Sequence, residues 1–385
     1  MSYSVRFDDH NQEVVFAGVM RPKLAGELAA VRDTLEQALQ RSTGTLCLNF
    51  SRLVQLNNVA FRELAKLFTA ACENQPGLKL KIIISSVVGW ASRKFQVLGR
   101  VNPNIVVEQY DRNFYPGQGV LEDSAFVPIL RTQTKLTWRH ERELLARHGL
   151  REGMHVADIC CGIGDFAVLV QKEFRPARLL ALDHARGSLA YARKVAAESG
   201  ISEIEYVYGD AAALLLEDNQ FDFVTCRHAL QVFNHPELIL KELFRICKPG
   251  GRVYITNEKK SHSLGEPRSE SIRWTYNEVA RLWADFEMDI ESGPKGRRLM
   301  QDAGFEDVCM ESFMVTNLDG DPQDFADMIQ AWEDVYAGKM AVLREDSPEF
   351  IERFRQGFQD HIHAALHPKG YAGWPIWTTS GMKPE

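Results

Sequence analysis

Residues 154–166 read MHVADICCGIGDF: a hydrophobic strand that stops at Asp158, a tight loop with glycines at 162 and 164, and the start of a helix that continues AVLVQKEF. A strand fed into a helix through such a loop commits this part of the chain to an alternating α/β architecture built on a parallel sheet. Glycines one residue apart let the backbone approach a ligand closely, and the helix N-terminus beyond them offers unpaired amide donors. Spacing then discriminates between ligands. A dinucleotide loop of the form G-x-G-x-x-G, aligned on Gly162, needs glycines at 160 and 165, where Cys160 and Asp165 stand; Asp165 would also repel a pyrophosphate. No G-K-[ST] follows the loop, which removes a P-loop.

Four further landmarks follow in order. Strand RLLALD ends at Asp183, strand IEYVYGD ends at Asp210, FDFVTCRHALQVF (221–233) carries a buried strand into a helix, and ELFRICKPGGRVYITNE (242–258) places the turn Lys248-Pro249-Gly250-Gly251 before another strand. This series resembles the Rossmann-like (class I) S-adenosylmethionine (SAM) methyltransferases over roughly residues 140–310. Their first motif is an acidic residue followed by G-x-G-x-G; here Asp158 takes the acidic place and Cys160, Gly162 and Gly164 the three glycine places. The resemblance implies a doubly wound sheet with SAM across its carboxyl edge. It also implies a cofactor-binding set of Asp158, Cys160, Cys161, Gly162, Gly164, Asp183, His184, Asp210, Ala211 and Arg227, in which Asp183 takes the ribose hydroxyls and Asp210 the adenine amino group. A cationic sulfonium suits such acidic neighbours where a phosphate would not.

In a parallel sheet the reactive end lies at the carboxyl ends of the strands, which puts Arg227 and His228 beside the transferred methyl group. His228 is the candidate general base and His235 the second choice; Arg227 either contacts an acceptor or pairs with an acid. Trp274, Tyr276 and Trp283 are the candidate acceptor contacts. A helical insertion at about 321–367, between strand VCMESFMV and the tail YAGWPIWTTSGMKP, reads as a lid. No metal-ligand spacing appears, and a thiolate set would need Cys226 or Cys309 to converge on Cys160-Cys161. The [DNS]-P-P-[YF] segment of base-modifying enzymes is replaced by Cys226-Arg227-His228-Ala229.

The first 110 residues have their own pattern. YSVRFDDHNQEVVFAGV reads as a hairpin with its turn at Asp8-Asp9-His10-Asn11, and Leu24, Leu28, Val31, Leu35 and Leu39 then mark an amphipathic helix before the strands TLCLNF, LKIIIS and IVVEQ. The layout resembles a STAS domain, a smaller α/β fold. Where signalling members of that family carry a phosphorylatable serine, this chain has Leu56-Asn57-Asn58-Val59, which offers no hydroxyl. The two asparagines read as a helix N-cap. The resemblance therefore implies dimerisation or docking of a protein partner. Residues 111–137 read as a linker, with a helix beginning at 138, and residues 138–385 as the methyltransferase domain.

A net charge of −7 opposes a nucleic-acid or anionic-membrane footprint, and seven cysteines without a disulfide framework fit a reducing, cytoplasmic location. No segment is long and apolar enough to be a signal core or membrane span. The expectation is a SAM-dependent methyltransferase acting on a small molecule, in specialised metabolism. The alternatives are a SAM-sensing regulator that signals through the N-terminal domain, or a non-methylating SAM enzyme performing cyclisation or carboxypropyl transfer.

Overall fold

The computed structural model describes residues 3–9, 12–42, 44–85, 89–110, 126–286, 288–344 and 346–385. The chain forms two compact units, Met1–Leu121 and Glu122–Glu385.

In the first unit β1 (Tyr3–Asp8) and β2 (Glu13–Met20) pair antiparallel. Then come α1 (Ala29–Arg41), β3 (Thr45–Leu56), α2 (Asn58–Asn74), β4 (Lys79–Ser85), α3 (Gly89–Val101) and β5 (Ile105–Tyr110). The strands lie in sequential order, with β2 to β5 parallel. Val31, Leu35 and Ala38 of α1 bury at helical spacing, and Phe16 stacks on Phe50 with ring centroids 4.0 Å apart in the core. Asn57 caps α2: its side-chain oxygen accepts from Ala60 N–H at 2.9 Å while its amide donates to the Pro22 carbonyl. Of the expected hairpin turn, His10 and Asn11 lie outside the described residues.

The second unit begins with α4 (Phe126–Arg147), twelve residues ahead of the expected start at 138. Residues 126–137 are therefore helix, and residues 111–125 of the expected linker lie outside the described residues. Ile129, Leu136, Leu144 and Leu145 supply the apolar face that polar Thr132, Gln133 and Thr134 obscured in the sequence. Pro128 sits in the first turn, where its missing N–H costs no helical bond.

A regular alternation follows: β6 (His155–Ile159), α5 (Asp165–Phe174), β7 (Arg178–Asp183), α6 (Arg186–Glu198), β8 (Ile204–Tyr208), β9 (Phe221–Arg227), α7 (Pro236–Ile246) and β10 (Cys247–Glu258). Next are β11 (Leu264–Glu266), α8 (Ser269–Asp285), α9 (Gly296–Asp302) and β12 (Glu306–Thr316). The chain closes with α10 (Pro322–Val335), a π-helical turn at Tyr336–Met340, α11 (Ala341–Arg344), α12 (Pro348–Leu366) and β13 (Tyr371–Met382). The sheet runs β8-β7-β6-β9-β10-β13, with β11 and β12 also paired to β13. β6 to β10 are mutually parallel, and β13 is antiparallel to β10 and to β12. Central strands such as β7, buried on both faces, read as continuous apolar runs. Strand order reverses between β6 and β9, which opens a crevice at their carboxyl ends. The expected insertion is helical, and Phe325, Ile329, Trp332, Phe354 and Phe358 are among its fully buried side chains.

Candidate active site

The loop after β6 owes its shape to two glycines in the left-handed region. A Cβ on Gly162 (φ +55°) would touch Leu130 Cδ1 at an ordinary 3.6 Å, whereas a Cβ on Gly164 (φ +78°) would fall 2.6 Å from the Ala192 Cβ on α6. The backbone conformation asks for the first glycine, and the close approach of two helices asks for the second as well. Cys160 also takes a positive φ, 62°, in the first glycine place.

Asp183, at the tip of β7, holds this loop in place. One carboxylate oxygen accepts from Gly162 N–H at 2.8 Å and the other from Ala185 N–H at 2.9 Å, which leaves lone pairs for a ligand's hydroxyls. His184 Nδ1 lies 3.5 Å from the same carboxylate. Asp158 is buried at the end of β6; Oδ1 accepts from Thr225 Oγ1 at 2.8 Å, and Oδ2 has no hydrogen-bond partner. Burial pushes its carboxyl up to about 7, against the Thr225 bond and the Arg227 charge that lower it. An orphaned carboxylate oxygen of this kind calls for a cationic or hydrogen-bonding ligand group. Asp210 caps the next turn through Ala212 N–H at 2.9 Å, with Ala211 buried beside it. Asp158, Asp183 and Asp210 thus stand at or just past the carboxyl ends of the neighbouring strands β6, β7 and β8, a set of acceptors whose chemistry fits the polar groups of SAM.

Arg227 and His228 follow at the carboxyl end of β9 and behave differently. Arg227 forms a buried pair with Glu141 of α4, Nε to Oε1 at 2.8 Å with Nη2 on the second oxygen. Its guanidinium carbon lies 4.0 Å from the Phe166 ring centroid. Burial acts against both charges, but their mutual attraction leaves Glu141 below and Arg227 above their ordinary values. Arg227 thus locks α4 to the sheet; it does not reach into the crevice as a free ligand. His228 has φ +51°, its N–H donates to the Thr256 carbonyl at 2.9 Å, and both of its buried ring nitrogens lack a hydrogen-bond partner. Its Nδ1 lies 3.6 Å from Glu258 Oε1. His235 instead sits exposed at the start of α7, 3.0 Å from Glu237.

The expected acceptor contacts are corrected by α8. Tyr276 is fully buried, its hydroxyl 2.6 Å from His361 Nδ1 and its ring packed edge-on against Trp332 and Phe358; Trp283 is 4% exposed and meets Tyr336 edge-on. Trp274 lies on another face beside Phe350, with Arg353 over its ring. The helices of 322–366 cover the apolar stripe of α8, so these aromatics serve packing.

The sequence reading missed Glu258, Lys260, Trp332 and Trp374. Glu258 ends β10, and Lys260, fully buried, places Nζ 2.9 Å from its Oε2 and 3.0 Å from the Trp332 ring centroid. Trp374 Nε1–H donates to the same Oε2 at 2.8 Å. Lys259-Lys260 looks like a solvated charge pair, and the tryptophans lie 72 and 114 residues further on, so no spacing announces the cluster.

Among the described residues His148, Cys309 and Glu311 bring candidate metal-ligand atoms within 4.8 Å of one another, but Arg147 already pairs with Glu311, and His148 Nδ1 lies 2.7 Å from Ser380 Oγ. A cavity of about 810 Å³ beside Ser263, Leu264, Tyr371 and Trp377 has no lining residue from the loops after β6, β7 or β9.

Residues 156–251 match the family described as a methyltransferase domain. A demethylmenaquinone methyltransferase of Oceanobacillus iheyensis is 24% identical over 48% of this chain and 82% of its own length. One of Listeria monocytogenes is 29% identical over 32% of this chain and 52% of its own length, so the chain spans about half of that relative. A Haemonchus contortus phosphoethanolamine N-methyltransferase 2 in complex with SAM is 16% identical, covering 95% of this chain and 94% of that one, with a TM-score of 0.46. The domain match and the named relatives, falling on the stretch that carries the glycine loop and Asp183, make the protein a SAM-dependent methyltransferase.

Proposed function

We propose that the protein methylates a small aromatic acceptor bound over the carboxyl ends of β9 and β10, with SAM held beside it over β6 to β8. Asp158 would take the ammonium of the cofactor, Asp183 its ribose, Asp210 with Ala211 its adenine, and the loop Cys160-Cys161-Gly162-Gly164 would form the floor, flanked by His184. SAM supplies an activated methyl group, and the protein's part is to align the acceptor, exclude water and manage its proton. The observation that carries the acceptor side is His228: a buried base with both ring nitrogens unpartnered, at the strand end next to the switch point. The stacked Trp374, 5.7 Å from the His228 ring, supports a flat aromatic acceptor, in keeping with the demethylmenaquinone named in the relatives. The helices of 322–366, extra to the sheet, support an acceptor particular to this enzyme, as in specialised metabolism. Incubation with SAM and a panel of hydroquinones tests the reading: S-adenosylhomocysteine (SAH) is the expected product, and methylthioadenosine in its place would indicate another reaction.

The first unit we infer to be a STAS-like module for docking a protein partner or a second copy, in a cytoplasmic protein. Its hairpin-led, otherwise parallel five-stranded sheet supports this, and the capping role of Asn57 speaks against a phosphoswitch there. Sedimentation of the full chain across a concentration series tests the self-association arm. Among the described residues no helix is long and apolar enough to cross a membrane.

A further inference from the structure

We propose that His228 and Glu258 form a proton-accepting dyad, held in register by Lys260 as a positioning residue, and that the acceptor therefore belongs to the molecules with an ionisable phenolic or enolic hydroxyl. The proposal rests on the methyl-transfer reading of the crevice and adds to it the class of nucleophile.

Three observations carry it. First, the turn after β9 places the His228 ring among buried atoms with no hydrogen bond to either nitrogen, an arrangement that costs free energy unless a ligand or a small approach supplies the partner. Glu258 Oε1, 3.6 Å from Nδ1, is that partner on one side; Nε2 is left for the acceptor. Second, Glu258 cannot swing away. Trp374 Nε1–H and the Lys260 ammonium hold Oε2 at 2.8 and 2.9 Å, Gln231 Nε2–H holds Oε1 at 3.1 Å, and the Glu258 N–H donates to Gln231 Oε1 at 2.9 Å. Third, Lys260 is fully enclosed, lying against Trp332 and 5.0 Å from the Trp374 centroid, so its charge acts through a low-dielectric surrounding.

The charges explain the division of labour. Burial alone would raise the Glu258 carboxyl, yet the Lys260 ammonium and His228 hold it well below the usual carboxylate range. Burial pushes Lys260 down to about 8, with Glu258 opposing the fall. A carboxylate kept ionised in this way does not take the acceptor's proton itself; it orients the imidazole and steadies the imidazolium. The other charged groups near the ring are Arg227 with Glu141, a closed pair, and Glu291, which acts on Lys260. In the step, the acceptor's O–H bond breaks and its proton passes to His228 Nε2. The electron pair left on oxygen, or delocalised to the adjacent ring carbon, forms the bond to the methyl carbon, and the pair of the broken S–CH3 bond returns to sulfur. A neutral amine or thioether needs no such base.

The dyad is read directly by ring ¹⁵N NMR of the labelled full-length protein, free and with saturating SAH, the His228 signal being assigned by its loss in His228→Gln. The expected neutral form carries its proton on Nδ1. Glu258→Gln should abolish that preference for Nδ1–H, and Lys260→Gln, which frees the Glu258 carboxylate, should weaken it. A proton on Nε2 in the wild type, or a tautomer indifferent to Glu258→Gln, overturns the dyad even where the variants also lose stability. If Lys260→Gln does not fold, the wild-type tautomer and Glu258→Gln still decide. If SAH does not bind, the methyl-transfer reading fails by itself while the free-protein spectrum still tests the dyad. With SAM and a panel of hydroquinones, catechols and secondary amines, the expected result is turnover of the hydroxyl-bearing set, reduced about 100-fold in His228→Gln; turnover of the amines alone overturns the acceptor class.

Discussion

Asp183 and Asp158 are both buried strand-end carboxylates, yet they face different tasks. Asp183 already accepts two backbone N–H bonds, which fix the loop. Asp183→Ala removes the loop anchor and, in the proposed cofactor site, the ribose contact with it. SAH affinity, measured by calorimetry, should fall by about 10- to 100-fold, as loss of hydrogen bonds to a charged group implies. Asp158, pushed up to about 7 by burial, is protonated in mildly acid solution. A ligand ammonium selects the ionised form, so SAH should bind more tightly as pH rises from 5.5 toward about 7, by up to about tenfold per unit, and level off above. Asp158→Asn should flatten that profile. In the free protein the sign is the reverse for stability: the unfolded chain gives up this proton near pH 4, so the group makes the fold less stable as pH rises from about 4 to 7.

At the scale of elements, α4 shows how a helix can hide in a sequence. Its buried set, Ile129, Leu136, Leu144 and Leu145, is interrupted by buried Gln133, Thr137 and Glu141, so the apolar period is broken where the helix meets polar partners on the sheet. Thr137 Oγ1 and Glu141 both receive Arg227, and this pair ties α4 to the end of β9. Glu141→Ala leaves a buried guanidinium uncompensated and should cost about 3–5 kcal/mol in urea unfolding, whereas Glu141→Leu with Arg227→Met should recover much of the loss. α8 teaches the complementary lesson. Tyr276 and Trp283 lie at the spacing of a packing face, and the covering helices α10 and α12, more than 35 residues further along the chain, decide that they are interior.

For the whole molecule, the two units carry separate hydrophobic cores, one around Phe16, Phe50 and Phe95 and one around Phe166, Phe223 and Tyr254. Folding units with separate cores are expected to melt separately. Scanning calorimetry of the full chain should give a calorimetric enthalpy above the van't Hoff value, and saturating SAH should raise only the transition of the unit that contains Asp183. A single two-state transition shifted as a whole by SAH would refute this.

The sequence alone determined the alternation of strands and helices, the glycine loop and the acids at 158, 183 and 210, because each is a local matter: side-chain period, a backbone conformation that glycine tolerates, a carboxylate at a strand end. The tertiary structure alone decided the fate of Arg227, the burial of the α8 aromatics and the meeting of His228, Glu258, Lys260, Trp332 and Trp374. These residues come from a turn, a strand end, a loop, a helix and the strand β13 that pairs on both sides, and the last lies 146 positions after the first. Contacts of that kind depend on which strand lies next to which and on what covers the crevice, and no short-range pattern in the chain records either.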